Sequence, residues 1–448
     1  MNYKRRISLA VLLSGIVISG FCQDYQLDIK NFPEDKVNLP AQLENMRPGQ
    51  VRDAAAQNAL CILPLGNLQA FSDHEIIGLK ESIIESLNKL ASDEKAVIAP
   101  AIWYTPSGYL INSAENGTFE IGMDAFTSYL DDVFTNLVNI GFKRIKIVVL
   151  NNLDQTNNPL LACANFVIAN KFNNRWKNPE FGKNWWVNPD LTQKRTEASG
   201  MYSVISISGY SDVKKENTTL SRPIRLESMT PSQIKDAVTR NLICFVPSGV
   251  IETHGNHNPL GCDGIESEGP LLLAGAKADF VIAPTIWYGP TGVSCGDETV
   301  GNINIDGEVY RNYISGVIKG LAAMGFKNIK FVQVHQGVNG PQGMSTTYGI
   351  ARYYAGFHSE VANNGKKPAK ITVISPPFGK YDHAGINETS WMLYLRPDHT
   401  DLSLIRPGDY SYCWREDREA NKASYEWGKT MTEETVKGFI ELIKNESE

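Results

Sequence analysis

Val97-Ile-Ala-Pro-Ala-Ile-Trp-Tyr-Thr-Pro-Ser-Gly108 and Val281-Ile-Ala-Pro-Thr-Ile-Trp-Tyr-Gly-Pro-Thr-Gly292 agree at nine of twelve positions, 184 residues apart. The same interval links Gly141-Phe142-Lys143 to Gly325-Phe326-Lys327, and Gly117 to Gly301; Pro64 and Gly66 answer to Pro247 and Gly249 at an interval of 183. A shared order of landmarks marks an internal repeat, and a repeat fixes the architecture before any single motif does. The chain therefore reads as two copies of one domain, over 23–211 and 225–448. The join is the polar stretch Asp212–Ser221, within a linker over 212–224.

Within each copy, short apolar runs alternate with helical patterns. In the second, Leu242–Val246, Phe280–Ala283, Ile329–Val334 and Ile371–Ile374 are short, rich in β-branched residues and almost continuously apolar. That is the pattern of strands in a parallel sheet covered on both faces. Glu308–Met324 has apolar residues at helical spacing and stops at Gly325. Strand–helix alternation predicts an α/β fold with mainly parallel sheets, in which ligands bind beyond the carboxyl ends of the strands.

Length and composition agree. A chain of 448 residues exceeds one ordinary core and suits two domains of roughly 200 residues. With 42% hydrophobic and 21% charged residues it reads as globular and soluble, and a net charge of −6 without long basic runs gives no footprint for nucleic acid. Lys4, Arg5 and Arg6 before the apolar run Ile7–Phe21 read as a signal peptide over 1–22. The mature chain is expected to be exported, to periplasm or extracellular space. Lipidation at Cys22 is the alternative, and Phe21 stands where such a site prefers a small residue. No later segment reads as a membrane span. Cys61 and Cys244 lie in apolar runs and read as core residues, and no Cys-x-x-Cys pair suggests a thiolate zinc site.

The chemistry concentrates in the second copy. Only His74 of the seven histidines lies in the first. One cluster is Glu252-Thr-His254-Gly-Asn-His257, followed by Asp263 ahead of a predicted helix. Carboxylates with imidazole suit Zn, Mn or Fe at a hydrolytic site. The plain alternative is a surface Glu252, a turn residue His254 and a helix-capping Asp263. His335 directly follows a predicted strand, where a histidine faces the expected site or serves only structure. Asp382-His383-Ala-Gly-Ile-Asn-Glu388-Thr-Ser390 places a histidine and a carboxylate across a glycine turn. That suits an acid/base pair, a metal shell or a plain helix cap.

Together these passages resemble the creatininase family. Its first motif, Gly-Ser-x-Glu-Gln-His-Gly-Pro-His-Leu-Pro-Leu-x-Thr-Asp, corresponds to Gly249 through Asp263, with Glu252, His254, His257, Pro259, Leu260 and Asp263 retained. Its central histidine in a glycine-rich turn corresponds to His335-Gln-Gly337. Its last motif, His-Ala-Gly-x-x-Glu-Thr-Ser, is unbroken at His383–Ser390. The resemblance covers residues 226–405 well and 50–205 weakly. It implies an α/β/α sandwich in each copy and a divalent metal site of one or two ions (Zn, Mn or Fe). Glu252, Asp263 and His335 would hold one ion, with Asp263 bridging to a second held by His254. Where creatininase has a glutamate two positions after the third-ligand histidine, this chain has Gly337, and Glu388 is one candidate to replace it. His383 would protonate a departing nitrogen and Glu388 would orient it.

Departures bear on the substrate. Thr253 replaces the motif glutamine, Asn256 replaces a proline, and the stretch before His383 lacks tryptophan. Creatinine is therefore not favoured, and a small-molecule amide, cyclic amide or formamide is expected. In the first copy Gln69 answers to Glu252, Phe71 to His254 and Asn151 to His335, while Ala198–Val204, read against His383–Ser390, has neither His nor Glu. This copy is expected to act as architecture, packing on the active copy as a neighbouring subunit does, and a homo-oligomer is compatible with the sequence. The competing functional class is an exported small-molecule-binding protein with a vestigial metal site. A metallopeptidase would need a His-Glu-x-x-His helix, which is missing.

Overall fold

The structure, a computed structural model, describes residues 35–66, 68–69, 76–79, 81–107, 118–151, 158–173, 202–208, 225–291, 301–361, 367–378, 380, 382–405 and 419–447. The expected signal peptide and the linker over 212–224 lie outside the described residues, as do His74 and Phe71.

The first half builds a five-stranded sheet from β1 (Ala41–Gln42), β2 (Leu60–Leu65), β3 (Val97–Ile98), β4 (Arg144–Asn151) and β5 (Tyr202–Ser208), in the order β1-β3-β2-β4-β5. The second builds β6 (Cys244–Ser248), β7 (Val281–Ile282), β8 (Asn328–Gln333) and β9 (Lys370–Ile374), in the order β7-β6-β8-β9. Every pairing is parallel. A single bridge from Arg225 to Ile282 stands where β1 meets β3 in the first half.

Alternation along the strands sends residues to opposite layers. Leu60, Ile62, Val148 and Leu150 pack on α2 (Glu81–Glu94) through Ile83 and Leu87. In the second sheet, Phe245, Ile282 and Val332 pack on α6 (Cys262–Gly275) and α10 (Tyr425–Ser447), through Leu271, Val436 and Phe439. The other strand faces, Cys61, Leu63, Ile147, Cys244, Val246 and Phe331 among them, join one apolar core shared by both halves. In it lie α3 (Met123–Asn139) and α7 (Gly307–Ala323). Each sheet thus has helices on both faces: two α/β/α sandwiches with parallel sheets.

The two halves meet reciprocally, as two subunits do across a two-fold axis. Tyr104 donates its hydroxyl to Pro284 O and Tyr288 donates to Pro100 O, both at 2.7 Å. Tyr129 donates to Tyr288 O and Tyr313 to Tyr104 O. Tyr129 and Tyr313, which answer to each other in the repeat, stack with centroids 3.7 Å apart and planes 3° from parallel. Two arms also cross: Leu260 N–H and Gly261 N–H donate to Met46 O and Glu44 O, while Ile77 N–H and Gly78 N–H donate to Met229 O and Glu227 O. The contacts between the two halves are thus reciprocal within a single chain.

One sequence expectation is corrected. Ala198–Val204 runs into β5, which pairs with β4 as β9 pairs with β8. A counterpart of His383–Ser390 would therefore follow Ser208, outside the described residues. The constant interval fails because more chain separates β4 from β5 than β8 from β9.

Candidate metal centre

All the singled-out side chains of the second half converge beyond the carboxyl ends of β6, β8 and β9. After Ser248 the chain turns at Gly249, where a Cβ would strike the backbone of Gly264. The loop that follows is pinned by Glu252 N–H to Leu260 O at 3.0 Å and by Thr253 N–H to the Asn302 side chain at 2.6 Å. Gln69 N–H donates to Ile77 O in the same way in the first half, so Gln69 occupies the place of Glu252. Asp263 lies in the first turn of α6, behind Gly261 as N-cap, so it is free of the capping role that the sequence left open. His335 follows β8 closely. Glu388 is in the first turn of α9 (Ile386–Leu395), where Asp382 caps the backbone amides of Asn387 and Glu388.

Glu252, His254, Asp263, His335 and Glu388 are all buried. His383 is the most exposed of the six, with its side chain 14% exposed. His335 Nδ1 lies 3.0 Å from Glu252 Oε1 and 3.4 Å from Asp263 Oδ2. His254 Nε2 lies 3.7 Å from both Asp263 Oδ1 and Glu388 Oε2, and 3.8 Å from Glu252 Oε1. His383 Nδ1 is 3.6 Å from Glu252 Oε1.

The far nitrogens decide the tautomers. His254 Nδ1 meets Glu252 O at 3.1 Å and His335 Nε2 meets Thr291 O at 3.0 Å. A carbonyl only accepts, so each of these nitrogens carries a proton, and in the neutral imidazole the lone pairs of His254 Nε2 and His335 Nδ1 point at the carboxylates. Backbone carbonyls behind metal-ligating histidines do the same. Two lone pairs aimed at buried carboxylates, with Glu252 and Asp263 held low, call for positive charge between them, a proton or a metal ion.

The electrostatics agree. Burial alone would depress His254, but Asp263 and Glu388 outweigh it and hold the imidazole up at about 10. Burial is likewise overridden at His335, which Glu252 and Asp263 raise well above the ordinary range. For Asp263 and Glu252, burial pushes upward and the histidines outweigh it, leaving both carboxyls low. His383 goes the other way: burial, then His254, lower it to about 4, so it is a neutral imidazole. The pocket thus favours positive charge at His254 and His335, the demand that a divalent ion also meets. Donor atoms of Glu252, Asp263 and His335 form one group within 4.8 Å of one another, as do those of Glu252, His254 and His383, and of His254, Cys262 and Glu388.

The sequence profile of the family described as Creatininase, creatinine amidohydrolase, matches residues 44–202 and again 227–443, more than half of the chain. The chain belongs to the creatininase family. Solved creatininases are similar to this chain over about half of its length. A structure described as "Creatininase Mn" matches at 21% identity and TM-score 0.42, covering 50% of this chain and 98% of its own. Creatinine amidohydrolase (creatininase) matches at 20% and 0.42, over 50% and 98%. The putative creatinine amidohydrolase of Bacteroides fragilis NCTC 9343 matches at 16% and 0.37, over 51% and 98%. No curated protein matches.

Within this creatininase-family fold, the structure adds contacts that the motifs alone do not carry. Glu388, read as orienting His383 or as a metal ligand, accepts Ala384 N–H through Oε2 at 2.5 Å and lies 3.7 Å from His254 Nε2. His257 Nε2 lies 2.9 Å from the Thr389 hydroxyl, which also accepts from Asn258, so the first motif is fastened to the last. Cys262 and Glu266, both fully buried, adjoin Asp263 on α6; their four-residue spacing was the signal available.

Proposed function

We propose that the second half is a metal-dependent amidohydrolase, cleaving a non-peptide C–N bond of a small amide, cyclic amide or formamide with water. One observation carries this reading: carbonyl bonds on their far nitrogens aim the lone pairs of His254 and His335 at buried carboxylates. Glu252, Asp263 and His335 would hold one divalent ion, Zn, Mn or Fe. His254, Asp263 and Glu388 would hold a second, with Asp263 between the two. In such a donor set, bound ions acidify water and polarise a carbonyl. His383, neutral and the most exposed of the set, accepts the proton of the attacking water at its imidazole and returns it to the departing nitrogen. The buried loop over 252–263 keeps bulk water from the reacting centre. The amine and the carboxylate leave past His383.

Elemental analysis of residues 23–448 tests this, beside Asp263→Ala and His335→Ala. One or two ions per chain, lost in the variants together with hydrolysis of an amide panel, is the expected result. A chain that binds no ion when supplied with Zn, Mn and Fe overturns it. That outcome would favour the second reading, a small-molecule-binding protein with a vestigial site. Gly337 supports that reading: at φ +65° it occupies a backbone conformation in which side chains are strained, so no carboxylate comes from this turn. The charged and apolar pattern of residues 4–21 supports export, and the mass of the secreted chain's N-terminus distinguishes cleavage after Cys22 from lipidation of Cys22.

A further inference from the structure

We propose that the second ion position contains a thiolate: Cys262 Sγ joins His254 Nε2 and Glu388 as a donor, and the position takes Zn(II) or Co(II) in preference to Mn(II). This rests on the reading of the site as a metal centre.

Cys262 is the first residue of α6, next to Asp263, and is fully buried. Its sulfur, a nitrogen of His254 and a carboxylate oxygen of Glu388 lie within 4.8 Å of one another. Donors around one tetrahedral ion lie roughly 3.3–3.8 Å apart, given metal–nitrogen, –oxygen and –sulfur bonds of about 2.0–2.3 Å. The 3.7 Å separations of His254 from Asp263 and Glu388 already have that spacing. Sγ needs only a small closing movement.

An independent observation points to the same spot. His254 Nε2 is buried without a hydrogen-bond partner. The carbonyl on Nδ1 fixes its tautomer, so its lone pair faces this position.

The thiol itself is weakly engaged. Sγ meets Glu266 Oε1 at 3.6 Å, and the residue otherwise packs in an apolar cluster with Ile265, Trp391, Met392 and Met431. A thiol is a weak donor, so little is lost when it turns to an ion. With one nitrogen, one sulfur and carboxylate oxygens, this position is softer than the Glu252, Asp263 and His335 set. Thiolate selects zinc-like ions, whereas carboxylate sets suit manganese. On binding, the S–H bond breaks, an S–metal bond forms and one proton leaves to solvent; nothing is oxidised.

The test is Co(II) titration of the mature chain, followed in the near ultraviolet, with zinc-edge X-ray absorption on the Zn(II)-loaded wild type. A thiolate-to-Co(II) charge-transfer band should grow with the second equivalent, and the zinc spectrum should contain a sulfur scatterer. Cys262→Ser should abolish the band, keep the first ion, and lower Zn(II) affinity at the second position by at least roughly tenfold relative to Mn(II). Cys61 and Cys244, buried in strands of the shared core, remain in the variant as internal controls. The wild-type zinc spectrum decides the matter even where the variant fails to fold. A shell of only oxygen and nitrogen around every bound ion overturns the thiolate and leaves the amidohydrolase reading standing. A chain that binds no ion overturns both.

Discussion

Gly261→Ala and Gly78→Ala form a matched pair, because the two glycines are equivalent under the repeat and each lies beneath an arm of the other half. A Cβ at Gly261 would stand 2.6 Å from Glu44 O and 2.7 Å from Glu44 Cβ; at Gly78 it would strike Glu227 O. Gly261 has φ −85°, which alanine tolerates, so the effect is the clash rather than backbone strain. Overpacking of this kind costs about 1–3 kcal/mol. Displacement of the arm also weakens the 2.9 Å bond from Gly261 N–H to Glu44 O, about 1 kcal/mol more. Both variants should therefore lose about 2–4 kcal/mol in urea unfolding followed by circular dichroism. They should part company in metal binding. Gly261 adjoins Cys262 and Asp263, and about 1.4–2 kcal/mol felt in that loop lowers metal affinity roughly ten- to thirtyfold in a chelator competition. Gly78 borders no ligand set, so Gly78→Ala should keep its affinity within about threefold. If Gly261→Ala matches the wild type in stability, or if both variants lose metal equally, the reciprocal-arm reasoning is wrong.

Three other outcomes follow from the same geometry. Glu44 is pushed up to about 7, by burial first, against an ordinary value of 4.5. The folded state therefore holds its proton more tightly, stability falls as pH rises from about 4.5 to about 7, and Glu44→Gln should flatten a slope of up to about 3 kcal/mol in urea unfolding against pH. The stacked Tyr129 and Tyr313 should show a coupling of about 1 kcal/mol in a double-mutant cycle with Tyr129→Leu and Tyr313→Leu, and additive losses would refute the contact. Deletion of residues 23–205 should leave an insoluble or inactive remainder, and a soluble, fully active fragment would show that the first half is dispensable.

The strands were legible because burial on both faces leaves a run of apolar, β-branched residues. The small offsets have causes. β6 extends to Ser248 because Pro247 and Ser248 still pair with Val332 and Gln333, although Pro and Ser read as turn residues. The convergence of Glu252, His254, Asp263 and His335 was legible only through motif spacing, since nothing local says that a loop histidine will meet one after a distant strand. Cys262 reads in the sequence as a small apolar residue, with its spacing from Glu266 as a weak signal, and its place within 4.8 Å of His254 and Glu388 needs the fold. The arms could not be read at all. β1 is two residues long, and the pairing of Met46 with Leu260 depends on the relation between two domains rather than on any pattern in either.

That relation gives the first half a role although Gln69 stands in it at the place of Glu252. The loop carrying Glu252, His254 and Asp263 is closed at its far end by amides of Leu260 and Gly261, and their acceptors belong to the first half. Arg47, paired with Asp35, also reaches His399 O, while Asp401 N–H donates to His257 O in that loop. Without the first half, these amides and the hydroxyls of Tyr288 and Tyr313 would lose their carbonyl partners, and the shared apolar core would open to water. Each fully buried Val, Leu, Ile or Phe side chain returned to water costs about 1.5–3 kcal/mol, and a few of them match the whole stability of a domain. Ligands can therefore drift in one copy, as Gln69 at the place of Glu252 records, but its arm, tyrosines and sheet face cannot. The geometry that shapes the pocket of the second half therefore constrains both halves.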